Sequence, residues 1–411
     1  MEAMDESKFV ILGGGMVAGY AAKQWIDLGL KAGELAILSA DTTIPYERPP
    51  LSKGFLAGKD TEDSVLINTG DFYRQHGIQV RLGCAVSKVD AKRKRLALER
   101  GAEFGYEKLI LATGARPRTL AIPGANLENV FYLRSLEDSK IIRQRAGAAK
   151  HAVVIGGGFI AMEVAAVLAQ KGLEVTMVLR EERIWSRIFT PQMSSFFERY
   201  YNARGVHIIK SAVVTELGGA GAVNRVLLDG APPIACELVV AGIGVEPVTD
   251  IFTSSDIDVS AGVLVNEYLE TNQPGIYAAG DVASYQDLLF GKRRRVEHWD
   301  NAVSQAQYCA RALMTERAPF RHVPYFFSDV FDLSYEYWGD SSDADGVVHR
   351  GDLSSSSFSV WWLRQNRLVA AFTMNRPDEE REAAPRWIEA RESISGKRLA
   401  DAAHTIDLAL E

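Results

Sequence analysis

The chain has 411 residues, 47% of them hydrophobic and 24% charged, a composition that fills two or three globular domains with sizeable cores. Its formal charge of −7 gives no general attraction to nucleic acid, and the basic run Lys292 to Arg295 is too local to reverse that balance. The segment Met1 to Lys8 lacks the basic and apolar regions of a secretory signal, and no stretch reads as a membrane span, so a cytoplasmic location without nucleic-acid or membrane partners is expected.

Phe9 to Ala22 reads as an apolar strand, a glycine turn and the start of a helix. Gly13, Gly15 and Ala18 fill the Gly-x-Gly-x-x-Gly/Ala frame of a dinucleotide-binding βαβ unit. Gly13 permits the tight turn, Gly15 lets backbone approach a pyrophosphate, and Ala18 lets the helix lie close on the strand. A second strand, Leu35 to Ser39, leads to Asp41, 23 residues after Ala18, where an acid holds a ribose hydroxyl. Next, Ile44 to Lys53 carries paired prolines that stiffen the backbone, and Ser52 is expected to start a helix. Arg48 and Lys53 are thereby held in place, directly after a dinucleotide strand, where phosphate contact is expected. From 65 to 106, short alternating runs such as Ile78 to Leu82 and Leu96 to Leu98, with a basic turn at Lys92 to Arg95, predict antiparallel strands. Leu109 to Pro117 then forms a buried strand ending in a glycine turn.

The whole unit recurs. Val153 to Ile155 is followed by Gly156, Gly158 and Ala161, then by the strand Val175 to Leu179 and by Glu181, 20 residues after Ala161. Two complete copies point to two dinucleotide sites. Glu163, five residues after Gly158, falls on the apolar face of the second helix, where an acid needs a partner. Leu238 to Pro247 is another apolar strand followed by Gly242 and Gly244, and Ile276 to Val282 is a strand ending in Gly280-Asp281. Arg294 to Ala302 is expected to begin a helix running to about Thr315. Phe358 to Leu363 and Leu368 to Phe372 read as two strands around an Asn366-Arg367 turn, followed by a charged helical tail. Cys84, Cys236 and Cys309 are too widely spaced for a Cys-x-x-Cys metal site or a close dithiol. His76, His207 and His322 are expected to be structural or solvated, with no nucleophilic triad.

Tyr46 to Lys53 resembles the Tyr-x-Arg-Pro-x-Leu-Ser-Lys signature of FAD-dependent NADH oxidoreductases of the ferredoxin/rubredoxin reductase type. Ala112-Thr113-Gly114 is similar to that family's Ala-Thr-Gly motif, and Ile276 to Val282 to its second FAD signature. Gly33 to Ile37, Asn129 to Arg134, Arg294 to Ala302 and Val323 to Ser334 are closest, within the family, to monodehydroascorbate reductase. The resemblance runs from Phe9 to about Gly339. It implies an α/β fold with two dinucleotide-binding, Rossmann-like domains of the glutathione-reductase type and a small α+β C-terminal domain. The expected domains are 1–117 with 245–325 for FAD, 118–244 for NAD, and 326–411 at the C-terminus.

The resemblance also distributes roles. FAD is expected at Gly13, Gly15, Ala18, Asp41, Arg48 and Lys53 in the first part of the chain. Ala112, Thr113, Gly114 and Arg116 follow, then Gly280 and Asp281, the segment Glu297, His298 and Trp299, and Phe327. NAD(H) is expected at Gly156, Gly158, Phe159, Ile160, Glu163, Glu181, Gly242 and Gly244. Lys53 and Glu163 would form an ion pair beside the flavin. Glutathione-reductase-like enzymes relay electrons through a nearby disulphide, and single-cysteine NADH peroxidases use a cysteine shortly after the first acidic strand end, where Thr42 to Glu47 has none here. A cysteine-free route is therefore implied, with two electrons passing from NADH to FAD and leaving singly for an acceptor. The expected acceptor is a ferredoxin- or rubredoxin-like iron–sulphur protein or the small anionic monodehydroascorbate radical. Arg295 and Tyr325 match the plant enzyme's substrate residues, but Phe327 stands where tyrosine is common, which removes a hydroxyl. Lys292 to Arg295 is expected to surround the electron exit with positive potential. NADH is expected over NADPH because of Glu181, with Arg180, Arg183 and Arg187 offsetting part of the discrimination. The alternative is an NADH-binding redox sensor with slow turnover, similar to apoptosis-inducing factor.

Overall fold

The computed structural model describes residues 5–99, 101–315 and 317–410, so Met1 to Met4, where the N-terminal reading begins, lie outside it. The chain divides into two compact units. The first comprises Met1–Arg48, Glu62–Arg116 and Glu246–Pro324; the second comprises Pro49–Thr61, Pro117–Val245 and Tyr325–Glu411. The boundary thus falls inside the proline-rich signature, between Arg48 and Pro49.

In the first unit, strand Glu6–Leu12 lies between Leu35–Leu38 and Glu103–Leu111, parallel to both. Continuous apolar runs suit strands covered on both faces, and Phe9 to Leu12 are indeed buried. Helix Met16–Asp27 packs against helix Trp299–Ala312, with Ala18, Ala21, Ala22, Ala306 and Ala310 all buried. Two sequence expectations need correction here. The run Ile78 to Leu82 yields Gln79–Arg81, which pairs parallel with Leu35–Leu38 and extends the nucleotide sheet rather than joining an antiparallel layer. Only Val86–Asp90, Arg95–Leu98 and the start of Glu103–Leu111 are antiparallel. The late helix starts at Trp299 and stops at Ala312, inside the expected span.

In the second unit, five parallel strands run in the order Val206–Ile209, Glu174–Val178, His151–Ile155, Leu238–Ala241, Val130–Phe131. Helix Phe159–Gln170 follows the second glycine turn and is buried from Ala161 to Leu168. The C-terminal part of this unit is a five-stranded antiparallel sheet. Its order is Tyr325–Val330, Leu333–Gly339, Arg367–Met374, Ser357–Arg364, Gly346–Asp352, and helix Asp378–Ala390 packs on it. The tight turn is Gln365-Asn366 rather than Asn366-Arg367, since both residues take positive φ, 51° and 60°, as a two-residue hairpin loop requires.

The charged tail is anchored by buried chemistry. Glu380 accepts from Arg350 Nε at 2.8 Å, Arg376 Nη2 at 2.6 Å and Ser359 Oγ at 2.7 Å. Arg350 also donates to the carbonyls of Leu399, Asp401 and His404, tying the C-terminal segment to the sheet. Burial alone would raise the Glu380 pKa, but hydrogen bonds from Arg376, Ser359 and Arg350 outweigh it and hold the carboxyl below its usual range. Glu380→Ala leaves two guanidiniums without their acid and should cost about 3–5 kcal/mol in urea unfolding. Because the folded pKa is depressed, this contribution is complete above the unfolded value of ~4.3 and is lost as pH falls through the folded one. The stability gap between parent and variant should therefore narrow in acid.

Candidate active site

The first glycine turn is built by close approach. Gly13 has φ +123°, its N–H donates to Leu38 O at 2.9 Å, and a Cβ there would strike Ala112 O. Helix Met16–Asp27 then starts after Gly15 with no side-chain cap and no acid in its first turn, leaving its N–H groups for an anion. A Cβ on Gly15 would have Arg48 Nη2 at 3.8 Å as its near neighbour, so that guanidinium overhangs the helix start. Asp41 accepts from Thr43 N at 3.0 Å and from the Tyr46 hydroxyl at 2.8 Å, which fixes its carboxylate at the strand end. Glycines that exclude Cβ atoms, an uncapped helix start and an overhanging cation fit the pyrophosphate of FAD.

The second turn repeats the construction. Gly156 has φ +122°, its N–H donates to Val178 O at 2.8 Å, and a Cβ there would strike Gly242 O. No heavy atom beyond its chain neighbours lies within 4 Å of the Cβ position at Gly158, and helix Phe159–Gln170 starts without a side-chain cap or an early acid. Ile160 and Ile243 stay exposed beside these glycines, and Gly244 takes φ +103°. Phe159 packs on Trp185 and Phe326. Glu181 is exposed, with its carbonyl fixed by Ser211 N at 3.0 Å. This cradle fits the pyrophosphate of NAD(H).

Glu163, on the second of these helices, is buried at 4% exposure and pairs with Lys53 Nζ at 2.7 Å. Its other oxygen accepts from the Ser52 hydroxyl, and Ser328 Oγ donates at 2.5 Å to the oxygen that meets Lys53. Ser52 therefore does not start a helix. It ends the 3₁₀ turn Pro49–Ser52, because its hydroxyl has a stronger use on a buried carboxylate. Lys53 Nζ also lies 5.6 Å from the centre of the Phe327 ring. Ser328 was not anticipated from the sequence. The available signal was its phase: in Tyr325–Val330 the buried positions are Phe326, Ser328 and Val330, and a serine among them needs a polar partner.

The remaining residues are local to the first unit or the second. Thr113 Oγ1 donates to Val248 O at 2.7 Å beside buried Ala112, and Gly114 takes φ +68°. The Gly280 N–H donates to Gln305 Oε1 at 2.8 Å, and Arg295 Nη1 donates to Asp281 O at 3.2 Å. Burial pulls the His298 imidazole down to about 4, so it is neutral at physiological pH. Trp299 Nε1 donates to Glu47 Oε2 at 2.6 Å. Arg116, expected at FAD, is 49% exposed and engaged by Glu246 at 2.7 Å and by Asp250. Tyr325 donates its hydroxyl to Glu336 Oε1 at 2.8 Å.

The basic run is not the open rim expected of it. Lys292–Arg294 is a strand paired with Ala283–Asp287, and Arg293 donates to the carbonyls of Val265 and Ser284. Arg294 pairs with Asp287 at 3.2 Å, the two side chains being 14% and 3% exposed, and Arg295 pairs with Glu297. Two of the four charges are thus neutralised in place. Near Glu181 the arginines also differ in use. Arg183 donates to the carbonyls of Phe189 and Ser186, whereas Arg180 and Arg187 are exposed.

A family model described as pyridine nucleotide-disulphide oxidoreductase matches residues 7–306, and one described as reductase C-terminal matches residues 325–409. The chain belongs to the pyridine nucleotide-disulphide oxidoreductase family. It is 37% identical to monodehydroascorbate reductase 4, peroxisomal, of Arabidopsis thaliana, a match covering 94% of this chain and 83% of that protein. The match to monodehydroascorbate reductase of Solanum lycopersicum is 34% identical and covers 92% of each chain. Among solved structures it resembles the ferredoxin reductase for the CYP199A2 system of Rhodopseudomonas palustris at TM-score 0.94 and 32% identity, covering 98% of this chain and 100% of that one. It also resembles the covalent putidaredoxin reductase–putidaredoxin complex at TM-score 0.93 and 32% identity, covering 99% of this chain and 98% of that one.

This member of the family is an NADH-dependent FAD oxidoreductase that passes electrons from NADH to an acceptor. It has no counterpart to the disulphide in the family's description, since Cys84, Cys236 and Cys309 are free thiols and the last two are buried. Among the described residues no helix is long and apolar enough to cross a membrane. The Gly158 cradle makes the NAD(H) assignment testable without damage to the fold. Gly158→Val places its side chain in clear space at the helix start, so it should fold and retain FAD while its KM for NADH rises at least ~10-fold. An unchanged KM would remove the pyrophosphate from this turn.

Proposed function

We propose that this oxidoreductase delivers electrons from NADH to a ferredoxin-type iron–sulphur protein. Bound FAD supplies the conversion of a two-electron hydride donor into a one-electron source. The chain's own residues bind and orient. The helix starts after Gly15 and Gly158 offer N–H groups to the two pyrophosphates, and Gly280 and Asp281 contribute backbone to the flavin site. Lys53 and Glu163, held as a buried pair by Ser52 and Ser328, are the groups we assign beside the flavin, where a fixed pair of charges needs no reorganisation during transfer.

The acceptor assignment is carried by the state of Arg295. Its Nη1 is shared by Glu297 and the Asp281 carbonyl, so its charge is already paired with an acid and a small organic anion would have to compete with that carboxylate. The missing hydroxyl at Phe327 and the tied hydroxyl of Tyr325 point the same way. Monodehydroascorbate is the second reading, favoured by the 37% identity to the Arabidopsis enzyme. The two separate in steady-state turnover with NADH. A [2Fe–2S] ferredoxin should give a kcat/KM at least ~10-fold above that for monodehydroascorbate, and the reverse ranking would assign the small radical. Either acceptor turned over rapidly also distinguishes an enzyme from a sensor.

Glu181 is proposed to accept the ribose hydroxyls of NADH. A 2′-phosphate ~4 Å away would meet like charge, at a cost on the order of several kcal/mol before screening. Arg183 turns its guanidinium to carbonyls, so of the three arginines Arg180 and Arg187 are the exposed ones that could meet a 2′-phosphate directly. The parent should prefer NADH over NADPH by at least ~10-fold in kcat/KM, and Glu181→Gln should shrink that ratio. An equal preference in the parent would transfer the selection to the arginines.

A further inference from the structure

Three consecutive residues of the first unit join the acidic strand end to the glycine turn. Tyr46 donates its hydroxyl to Asp41 and faces the Arg48 guanidinium, 5.5 Å from the ring centre. Arg48 in turn overhangs Gly15. Between them, Glu47 has both carboxylate oxygens taken. Tyr20 Oη donates to Oε1 at 2.5 Å and Trp299 Nε1 donates to Oε2 at 2.6 Å. Tyr20 lies on the helix that the glycine turn starts, and Trp299 opens the helix packed against it; the two rings meet edge-on at 6.1 Å. The Glu47 N–H closes the other side of the loop on Val65 O at 2.7 Å.

An acid is electrostatically adverse next to a cation that overhangs an anion site. Its charge lowers the potential that Arg48 offers a pyrophosphate, so whatever Glu47 contributes must be geometric. The donors suit that role. Burial and the Glu47 carboxylate both raise the Tyr20 phenol, which therefore remains a proton donor throughout the working pH range. Two helices thus grip one carboxylate, and the neighbouring residue carries the cation.

We propose that Glu47 is a positioning residue, a strut between the two helices that fixes Arg48 over the Gly15 turn so that the pyrophosphate of FAD meets a cation already in place. The proposal rests on the FAD reading of the first unit. It is tested by the FAD dissociation constant, read from released flavin fluorescence on dilution of the holoprotein, in the parent, Glu47→Ala, Glu47→Gln, Arg48→Ala and the double variant Glu47→Ala/Arg48→Ala. A strut predicts that Glu47→Ala weakens FAD binding by ~10-fold or more, whereas charge alone predicts tighter binding. Glu47→Gln keeps an acceptor for the indole and a polar partner for the phenol without the charge, and should bind FAD at least as tightly as the parent. In the Arg48→Ala background, loss of Glu47 should cost less than ~3-fold, because no cation is left to place.

Tighter binding by Glu47→Ala, a Gln variant as weak as the Ala variant, or an equal loss in both backgrounds would each overturn the strut. Should Glu47→Ala fail to fold, Tyr20→Phe carries the same comparison, since it removes one donor and should weaken FAD binding only while Arg48 is present. Failure of the underlying reading has its own signature. If Arg48→Ala alone binds FAD as tightly as the parent, Arg48 does not meet the pyrophosphate, and the proposal falls with that reading rather than through Glu47.

Discussion

At both nucleotide-type turns the strand ends so close to a neighbouring carbonyl that no Cβ can be accommodated. Gly13 meets Ala112 O and Gly156 meets Gly242 O, each with φ in the region that side-chain-bearing residues rarely adopt. The same approach fixes where each following helix begins, directly over the carboxyl ends of parallel strands. Close packing of each helix on its neighbours then requires small residues, supplied by Ala18, Ala21 and Ala22 in one unit and Ala161, Ala165 and Ala166 in the other. Because neither helix start carries a capping side chain or an early acid, the unmet N–H groups and the positive end of the helix dipole are left for an anion. Steric exclusion at two glycines therefore leads without a break to two phosphate cradles.

Glu163 is the second dependence. A carboxylate at 4% exposure is tenable only when its oxygens are satisfied, and here the donors come from Lys53, Ser52 and Ser328. Ser52 lies 111 positions and Ser328 165 positions away from the acid. One buried charge thus fixes the end of the proline-rich signature and a strand of the C-terminal sheet to the second nucleotide helix. These groups hold their surroundings in register, so a stability measurement must accompany any kinetic reading of their variants.

The glycine frames were legible because they are local: three small residues at fixed spacing after an apolar run determine the turn, and the repeat doubled the signal. What depended on distant partners was less so. Ile78 to Leu82 was recognisable as extended, but its alternation contains nothing about whether its neighbour runs parallel or antiparallel. Ser52 has the side chain of a helix cap, yet a buried carboxylate 111 residues away is the better acceptor. Ser328 was visible only as a polar residue in a buried phase, and Glu47 only as the variable position of a signature. In each case the residue's own chemistry was apparent and its partner was not.

The basic run shows the same limit for charge. Four cations in a row suggest a strong local potential, but a strand alternates its side chains, and in Lys292–Arg294 the alternation sends Arg294 onto a nearly buried Asp287. Arg295 closes on Glu297, and Arg293 turns its guanidinium to backbone carbonyls. A paired guanidinium contributes a dipole rather than a monopole, and a dipole's field falls off too steeply to steer an approaching anion over a Debye length of about 8 Å. Arg294 and Arg295 are accordingly more important for bracing the segment around Asp281 and Trp299 than for attracting a partner. For the two proposed acceptors, these two arginines therefore contribute less to discrimination than short-range fit does, and there an iron–sulphur protein and a small organic radical make very different demands.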